Sequence, residues 1–384
     1  MTTKRARRSS ITISIDGQNV SADLAPYLKT VLFNDKTSAE VDDITVTLDD
    51  RDELFCDEWM PMTGDSLEVE IICENWASEG EVQSLYCGSM EIDIIEEKGP
   101  PNEISIKAVS SFNSSIRKTL NTKKWQKSTL QSICKEIASK HGLAFEFIPY
   151  LEEDKKGIQI EAIDQTDQSD LAFIAKLADD NDYVVKLDPE KLIVCAQSYL
   201  ETQEPIISIS KYDIFNRIAG RQGFNLYKEV KASYFCPKQK KNVSARASHK
   251  DVVLNNPEWI KAHTKPKKTK NKKNNKVPAI PTKPVSFFAN NGGSKVLIIR
   301  QKFKSEAEAL KTAKAKLAQK NRGEWKVSGE VMGNPFLMAG VVIEITDYGQ
   351  YSGFYYVETT THSRIGSGYR TNFVSHKILI EDQA

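Results

Sequence analysis

Along most of this chain, apolar and polar residues alternate in short runs separated by turn signals. Leu67, Val69 and Ile71 are interleaved with Glu68 and Glu70, the period-two pattern of a half-buried strand. Similar runs cover Ile11 to Ile15, Leu28 to Phe33, Ile44 to Leu48, Leu85 to Ile95 and Ile104 to Val109. Asp16-Gly17 closes the first as a tight turn, and Gly99-Pro100-Pro101-Asn102 makes another. About six strands at this spacing predict a small barrel or sandwich.

From Lys123 the period becomes helical. Ser128-Thr-Leu-Gln131 fits a capping box, in which a hydroxyl and an amide side chain satisfy free backbone groups at a helix start. Leu130, Ile133, Cys134, Ile137 and Ala138 form one apolar stripe, and His141-Gly142 ends the helix with glycine in the left-handed conformation. Ala144 to Ile148 is a strand. An acidic lead-in, Glu161 to Asp170, precedes a second helix with Leu171, Ile174, Ala175 and Ala178 on one face, followed by strands at Tyr183–Leu187 and Lys191–Cys195. Strands return at Ile206–Ile209, Gly223–Phe235 and Lys295–Phe303. A third helix, 305–321, starts at Ser305-Glu-Ala-Glu308, and a glycine-punctuated β-rich end runs from Glu324 to Leu379. The fold class is α+β, mostly β: a β region, a small α/β module, and β again.

Composition narrows the picture. Hydrophobic residues make up 40% of 384 and charged residues 27%, a globular balance, and no apolar run reaches the length of a membrane span. Met1 to Ser10 is basic but lacks the apolar core of a secretory signal, so a disordered arm is expected. The six cysteines show no Cys-x-x-Cys spacing and read as reduced, buried small hydrophobes. The net charge of +1 conceals an asymmetry. Residues 11–100 carry 22 Asp/Glu against 4 Lys/Arg, while residues 221–330 carry 27 Lys/Arg against 7 Asp/Glu. Copies of the chain can therefore pair acidic surface with basic surface, or one face can line a passage.

Candidate chemistry changes little. There is no Walker loop, no Gly-x-Gly-x-x-Gly after a strand and no His-Glu-x-x-His. None of His141, His249, His263, His362 and His376 stands in a nucleophile-elbow context. Asp164, Asp167 and Asp170 are spaced by three, without the alternation and glycine of a calcium loop. Asp167 or Ser169 suits a helix cap instead. Asp49 to Glu53 reads as a solvated turn and His362 as a buried structural histidine. Paired carboxylates stay open, because nothing selects a pair among 52 acids. The Lys-rich stretch 264–285, with four prolines, has almost nothing to bury and reads as a mobile, solvated insertion. No catalytic, cofactor-binding or metal residue is assigned.

Two stretches carry a resemblance. The first is Ile163-Asp-Gln-Thr-Asp-Gln-Ser-Asp-Leu-Ala-Phe-Ile-Ala-Lys-Leu-Ala, followed by Tyr183-Val-Val and Lys191-Leu-Ile-Val. The second is Gly329, Gly333-Asn-Pro335, Ala339-Gly340, Gly353-Phe-Tyr-Tyr-Val357, Thr361-His362 and Gly368-Tyr-Arg-Thr371. With the capped helix at Ser305, they resemble the late control D family of phage tail proteins, from Ile11 to about Leu379. These are baseplate hub proteins of contractile phage tails and R-type tailocins, similar in fold to the T4-like baseplate hub and the N-terminal part of type VI secretion spike proteins. The Lys-rich insertion has no place in that pattern.

The resemblance implies two tail-tube-like β-barrel domains, 11–122 and 204–384, flanking the module 123–203, with the arm at 1–10. It implies a homotrimer whose six barrels form a ring between a six-fold tube and a three-fold spike. The expected partners are the central spike protein, a tail-tube initiator or tube protein, and baseplate wedge and tape measure proteins. Nucleic acid enters only in transit through the lumen, which the acidic first barrel would line in part. Synthesis in the bacterial host cytoplasm, residence in the particle's tail baseplate and no enzymatic activity follow. The alternatives are a cell-wall-degrading hydrolase of the same particle and a nucleic-acid-binding protein acting through the Lys-rich loop.

Overall fold

The computed structural model describes residues 6–37, 41–76, 78–110, 114–150, 157–188, 190–223, 226–236, 240–248, 295–300, 303, 305–366 and 368–378. The insertion 264–285, His249 and His263 lie outside them.

The first β region contains β1 (Arg8–Ile15), β2 (Gln18–Asn19), the one-turn helix α1 (Ser21–Leu24), β3 (Leu28–Lys36), β4 (Asp43–Asp49), β5 (Ser66–Glu74), β6 (Val82–Lys98) and β7 (Glu103–Ser110). Alternation dictates its packing. Leu67, Val69, Ile71 and Cys73 of β5 point into one core with Val31, Val46 and Ile106, while the interleaved Glu68 and Glu70 point away. Asp16 and Gly17 take positive φ, as a two-residue hairpin turn requires. Two expectations are corrected. The arm placed at 1–10 ends earlier, because Arg8, Ser9 and Ser10 pair with Glu74, Cys73 and Ile72. The turn 49–53 is not wholly solvated, because Asp50 is buried and accepts the Phe55 N–H at 3.0 Å.

The module contains α2 (Ser114–Lys118), β8 (Leu120–Thr129), α3 (Leu130–Lys140), β9 (Ala144–Ile148), β10 (Gln159–Ser169), α4 (Asp170–Asp179), β11 (Tyr183–Leu187), β12 (Lys191–Ala196) and α5 (Gln197–Glu201). The stripe of α3 is buried throughout. So are Leu171, Ile174 and Ala178 of α4, joined by Phe173, whose ring stacks on Trp125. The acidic lead-in is a strand: β10 pairs antiparallel with β8. That pairing also shifts the boundary placed at 122/123, which would cut β8. The cap of α3 is Thr129, not Ser128. Its side chain accepts the Ser132 N–H at 3.0 Å, and Ser132 Oγ accepts the Thr129 N–H in return.

The last region contains β13 (Ser208–Ser210), β14 (Phe215–Arg221), β15 (Glu229–Cys236), β16 (Lys241–Ser248), β17 (Val296–Ile299), α6 (Glu306–Asn321), β18 (Trp325–Met332), β19 (Val342–Thr346), β20 (Gly353–Ile365) and β21 (Gly368–Lys377). Ser305 caps α6. Ala309, Ala313 and Leu317 of α6 pack on Val230, Ala232 and Val243 of a separate sheet, β16-β15-β17. The mostly β, α+β class is borne out.

One long sheet runs through both β regions in the order β14-β18-β21-β20-β3-β4-β7-β6-β5-β1-β2, with β19 also on β20 and β13 on β19. A five-strand order therefore occurs twice: β3-β4-β7-β6-β5 and β14-β18-β21-β20-β19. In each, the first, second, fifth, fourth and third strands of the unit lie side by side. Irregularities recur as well. β6 shifts register against β7 between Ile92 and Ile94, and β20 against β21 between Val357 and Thr359. β3 shifts against β4 between Leu28 and Thr30, and β14 against β18 between Phe215 and Ile218. Among the described residues no ladder joins β1 to β3. Side chains from β1, β3 and β5, among them Ile13, Val31 and Val69, share the core of the first unit.

Loss of the Thr129 hydroxyl in T129A is expected to cost about 1 kcal/mol in urea unfolding, and S128A only a few tenths. Equal costs would restore Ser128 as the cap.

Candidate functional site

The candidate residues separate. Asp164 lies in β10 opposite Lys124. Asp167 takes a positive φ at the bulge of β10, and its N–H donates to Thr122 Oγ1. Ser169 caps α4, accepting the Ala172 N–H. Asp170 alone is buried, and it accepts from Gln165 Nε2 at 2.7 Å and Lys140 Nζ at 2.8 Å, with His141 Nε2 at 2.8 Å. Burial pushes this carboxyl up, but the hydrogen bonds from Lys140, Gln165 and His141 bring it below its ordinary value. The other ring nitrogen of His141 meets Ser115 Oγ at 2.9 Å. The Ser115–His141–Asp170 line thus ties α2, the end of α3 and the start of α4 together. Separation in sequence hid it.

His362 sits in β20 between β3 and β21, fully buried, with Nδ1 2.7 Å from the Tyr369 hydroxyl. Desolvation pulls it down to about 4, so it is neutral at pH 7. Gly333 allows the Tyr369 ring to lie against its backbone: a Cβ there would come within 2.2 Å of the ring. Among the described residues five cysteines are free thiols, four of them buried; Cys56 is exposed, contrary to the expectation for the set. No helix among the described residues is long and apolar enough to cross a membrane.

A charged cluster joins the module to the last region. Arg322, just past α6, donates to Glu201 of α5 and to Asp182, each at 2.8 Å. His376 of β21 lies between Glu201 Oε1 at 3.2 Å and Glu358 Oε1 at 2.9 Å, and Lys326 donates to Glu358. Both ring nitrogens thus face carboxylates, which are acceptors when ionised. Burial would raise Glu201, but the Arg322 charge and the His376 hydrogen bond bring it down to about 2. Burial likewise opposes ionisation of Glu358, and the bonds from His376 and Lys326 bring it to about 2. Such a cluster fixes geometry more than it adds stability.

The remaining feature is the sheet itself, whose path ends at β14 on one side and at β2 on the other. β14 terminates the run. It exposes Phe215 (45%) and Ile218 (71%) and carries Arg217 and Arg221. β6 pairs with β5 from Val82 as far as Glu91, and two further backbone bonds engage Ile92. Among the described residues no strand flanks the other side of Asp93–Lys98, where Ile94 is 42% exposed beside Asp93, Glu96 and Glu97. In the middle of the sheet the side away from the core is polar. Thr361 Oγ1 donates to Asn34 Oδ1, and Asn34 Nδ2 to Asp43 Oδ2, each at 2.8 Å across neighbouring strands.

The chain is similar to baseplate hub proteins. It is 25% identical to the "Probable baseplate hub protein" of Escherichia phage 186 over 322 residues, covering 81% of this chain and 77% of that protein. It is 26% identical to the protein of the same description in Escherichia phage P2 over 319 residues, with the same coverage. The resemblance read from the sequence is borne out. In structure the chain is similar to the tail protein from Neisseria meningitidis MC58, with a TM-score of 0.63 at 10% identity over 96% of this chain and 97% of that one. At that identity the likeness is one of fold. No family model matches the chain.

The two depressed carboxyls set an acid limit. A carboxyl whose folded value lies below its ordinary 4.5 adds stability above that pH and loses it as pH falls toward about 2. Stability should therefore fall between pH 4.5 and 2, and more steeply in the wild type than in E201Q. Urea unfolding at stepped pH checks this, and parallel curves would dissociate Glu201 from the acid transition.

Proposed function

We propose that this chain is the structural hub of a contractile tail's baseplate, in a phage, a tailocin or a related injection particle. Three copies close into a pseudo-six-fold ring that carries the central spike below and begins the tail tube above. The observation that carries the reading is the five-strand order present twice in one chain. A trimer of such chains presents six near-equivalent sheet units while keeping true three-fold symmetry. That is the geometry needed to join a six-fold tube to a three-fold spike. The relatives named as baseplate hub proteins support it.

On this reading the two β regions act as tube-subunit-like barrel domains, and the polar face of the long sheet, with its Thr361–Asn34–Asp43 row, lines the lumen. Spike, tube initiator, wedge and tape measure proteins are the partners. The function resides in surfaces, and no residue acts as a catalyst. Mass measurement of the purified protein, alone and with its spike, should give a trimer and a complex of three hub chains with one spike trimer. A chain that stays monomeric in both settings would count decisively against the hub.

One observation favours a second reading, a cell-wall hydrolase: the Ser115–His141–Asp170 line. Asp170 is also engaged by Lys140 and Gln165, and the line joins three helices of the module, which fits a structural tie. The purified protein should neither release muropeptides from peptidoglycan nor be labelled at Ser115 by a fluorophosphonate. Turnover abolished by S115A would establish the hydrolase.

A further inference from the structure

We propose that two unlike sheet faces of this chain stack on each other between copies: the outer face of the small sheet β16-β15-β17 in one copy covers the outer face of β5 and the first half of β6 in another. The proposal rests on the ring reading for the presence of several copies, and on side-chain chemistry for which faces meet.

The basic face is the side of the small sheet turned away from α6. Val230, Ala232, Val243 and Ala247 point toward that helix, so Lys231, Phe235, Arg246 and Ile298 point the other way. Lys231 stands directly opposite Arg246 on one side and Ile298 on the other. Like charges placed opposite each other across a ladder cost stability. Glu229, 3.1 Å from Lys231, offsets one of the two. Phe235 and Ile298 are each more than half exposed on the same face. A cationic face with large apolar groups suits an anionic surface that brings apolar groups of its own.

The first unit carries such a surface. Leu67, Val69 and Ile71 fill the core, so Glu68 and Glu70 stand on the outside of β5. Tyr86 of β6 pairs with Glu70 and Val82 with Glu74, and both Tyr86 and Val82 are more than half exposed. Among the described residues no cation pairs with Glu68 or Glu70. Burial and the charges of Glu68 and Glu70 push the Tyr86 hydroxyl upward, which marks the face as anionic.

The repeated strand order indicates that this face takes a cover. β5 and β6 correspond to β19 and β20. In that second pair Ile343 and Tyr355 point into the core, and the outward Val342 and Tyr356 are buried beneath Tyr150 and Leu200 of the module. The equivalent face of the first unit has carboxylates instead, and Tyr86 is left open on it. A layer that covers it must bring cations, and the small sheet brings them. Pleated faces stack about 10 Å apart, which sets Lys231 and Arg246 against Glu68 and Glu70, and Phe235 and Ile298 against Tyr86 and Val82. Each face repels its own kind, so the contact joins unlike surfaces and can repeat around a three-fold axis. The acidic and basic halves of the sequence thereby acquire a use.

The test places the photo-crosslinking residue benzoylphenylalanine at Tyr86 in the full-length protein. Unlabelled and isotope-labelled chains are mixed and irradiated at assembling concentration, and the crosslinked peptides are mapped by mass spectrometry. Mixed-isotope crosslinks from Tyr86 to residues 229–248 or 296–299 are expected. A trimer whose crosslinks stay within one chain or map elsewhere overturns the face assignment and leaves the ring standing. A protein that remains monomeric overturns the ring reading and this contact together. Charge reversal supplies a second readout. E70K and R246E should each raise the concentration for half-assembly roughly tenfold, and the double variant should recover much of the loss. A double variant weaker than either single one, with unchanged circular dichroism, would overturn the pairing of these faces.

Discussion

Seven backbone pairs, from Thr359–Lys36 to Ile365–Thr30, hold the last β region to the first, and the surrounding structure is arranged to keep them in register. His362 is buried in this ladder and bonded to Tyr369, whose ring belongs to the core of the first region. Asp35 of β3 accepts the Ala339 N–H at 2.7 Å, and Thr37 Oγ1 donates to the Glu358 carbonyl. Each bond crosses between segments more than three hundred residues apart in sequence. A slip of one residue would turn His362 outward and expose its buried neighbours, so the register is strongly specified.

The module stands beside this junction rather than within it. Its attachment combines an apolar cluster, in which Tyr150 and Leu200 pack against Val342, Tyr356 and Ile378, with directional ionic contacts. Arg322 makes two bonds in fixed geometry, and His376 spans two carboxylates that belong to different segments. Lys316 adds a pair with Asp180. An apolar patch would allow sliding, whereas a guanidinium with two carboxylates permits one arrangement.

Much of the architecture was legible in the sequence. The β strands of the first region and the stripes of α3 and α4 follow from periodicity, because one face of each is buried and the other wet. β8 and β10 were missed because Leu120–Thr129 and Gln159–Ser169 pair with each other while exposing much of both faces, so neither shows clean alternation. The repeated strand order was invisible for another reason. It lives in backbone connectivity and register shifts, not in matched residues, and the sheet β16-β15-β17 with α6 interrupts its second copy. The acidic and basic segments were visible as charge counts, but which charges stand at an open edge depends on neighbours far along the chain. Glu201 and His376, 175 residues apart, show the same limit for the ionic cluster.

An open edge is a hazard for a soluble protein, usually blunted by charge, a bulge or a short strand. Among the described residues β14, at one end of the long sheet, and the 93–98 stretch of β6, within it, each keep an edge with an exposed isoleucine, and the charges beside them are of opposite sign. Like charge at both edges would oppose pairing of unlike edges. Opposite charge opposes β6–β6 and β14–β14 contacts while favouring the unlike pair. A heterologous contact of this kind closes a ring only if the rotation per chain divides the circle; otherwise it grows a fibre. Within the chain the ladder between β3 and β20 is itself such a junction of unlike edges, and it seats the second unit against the first. The bulges at Asp93 and Glu358, in matching places of the duplicated unit, are local devices that bend its strands.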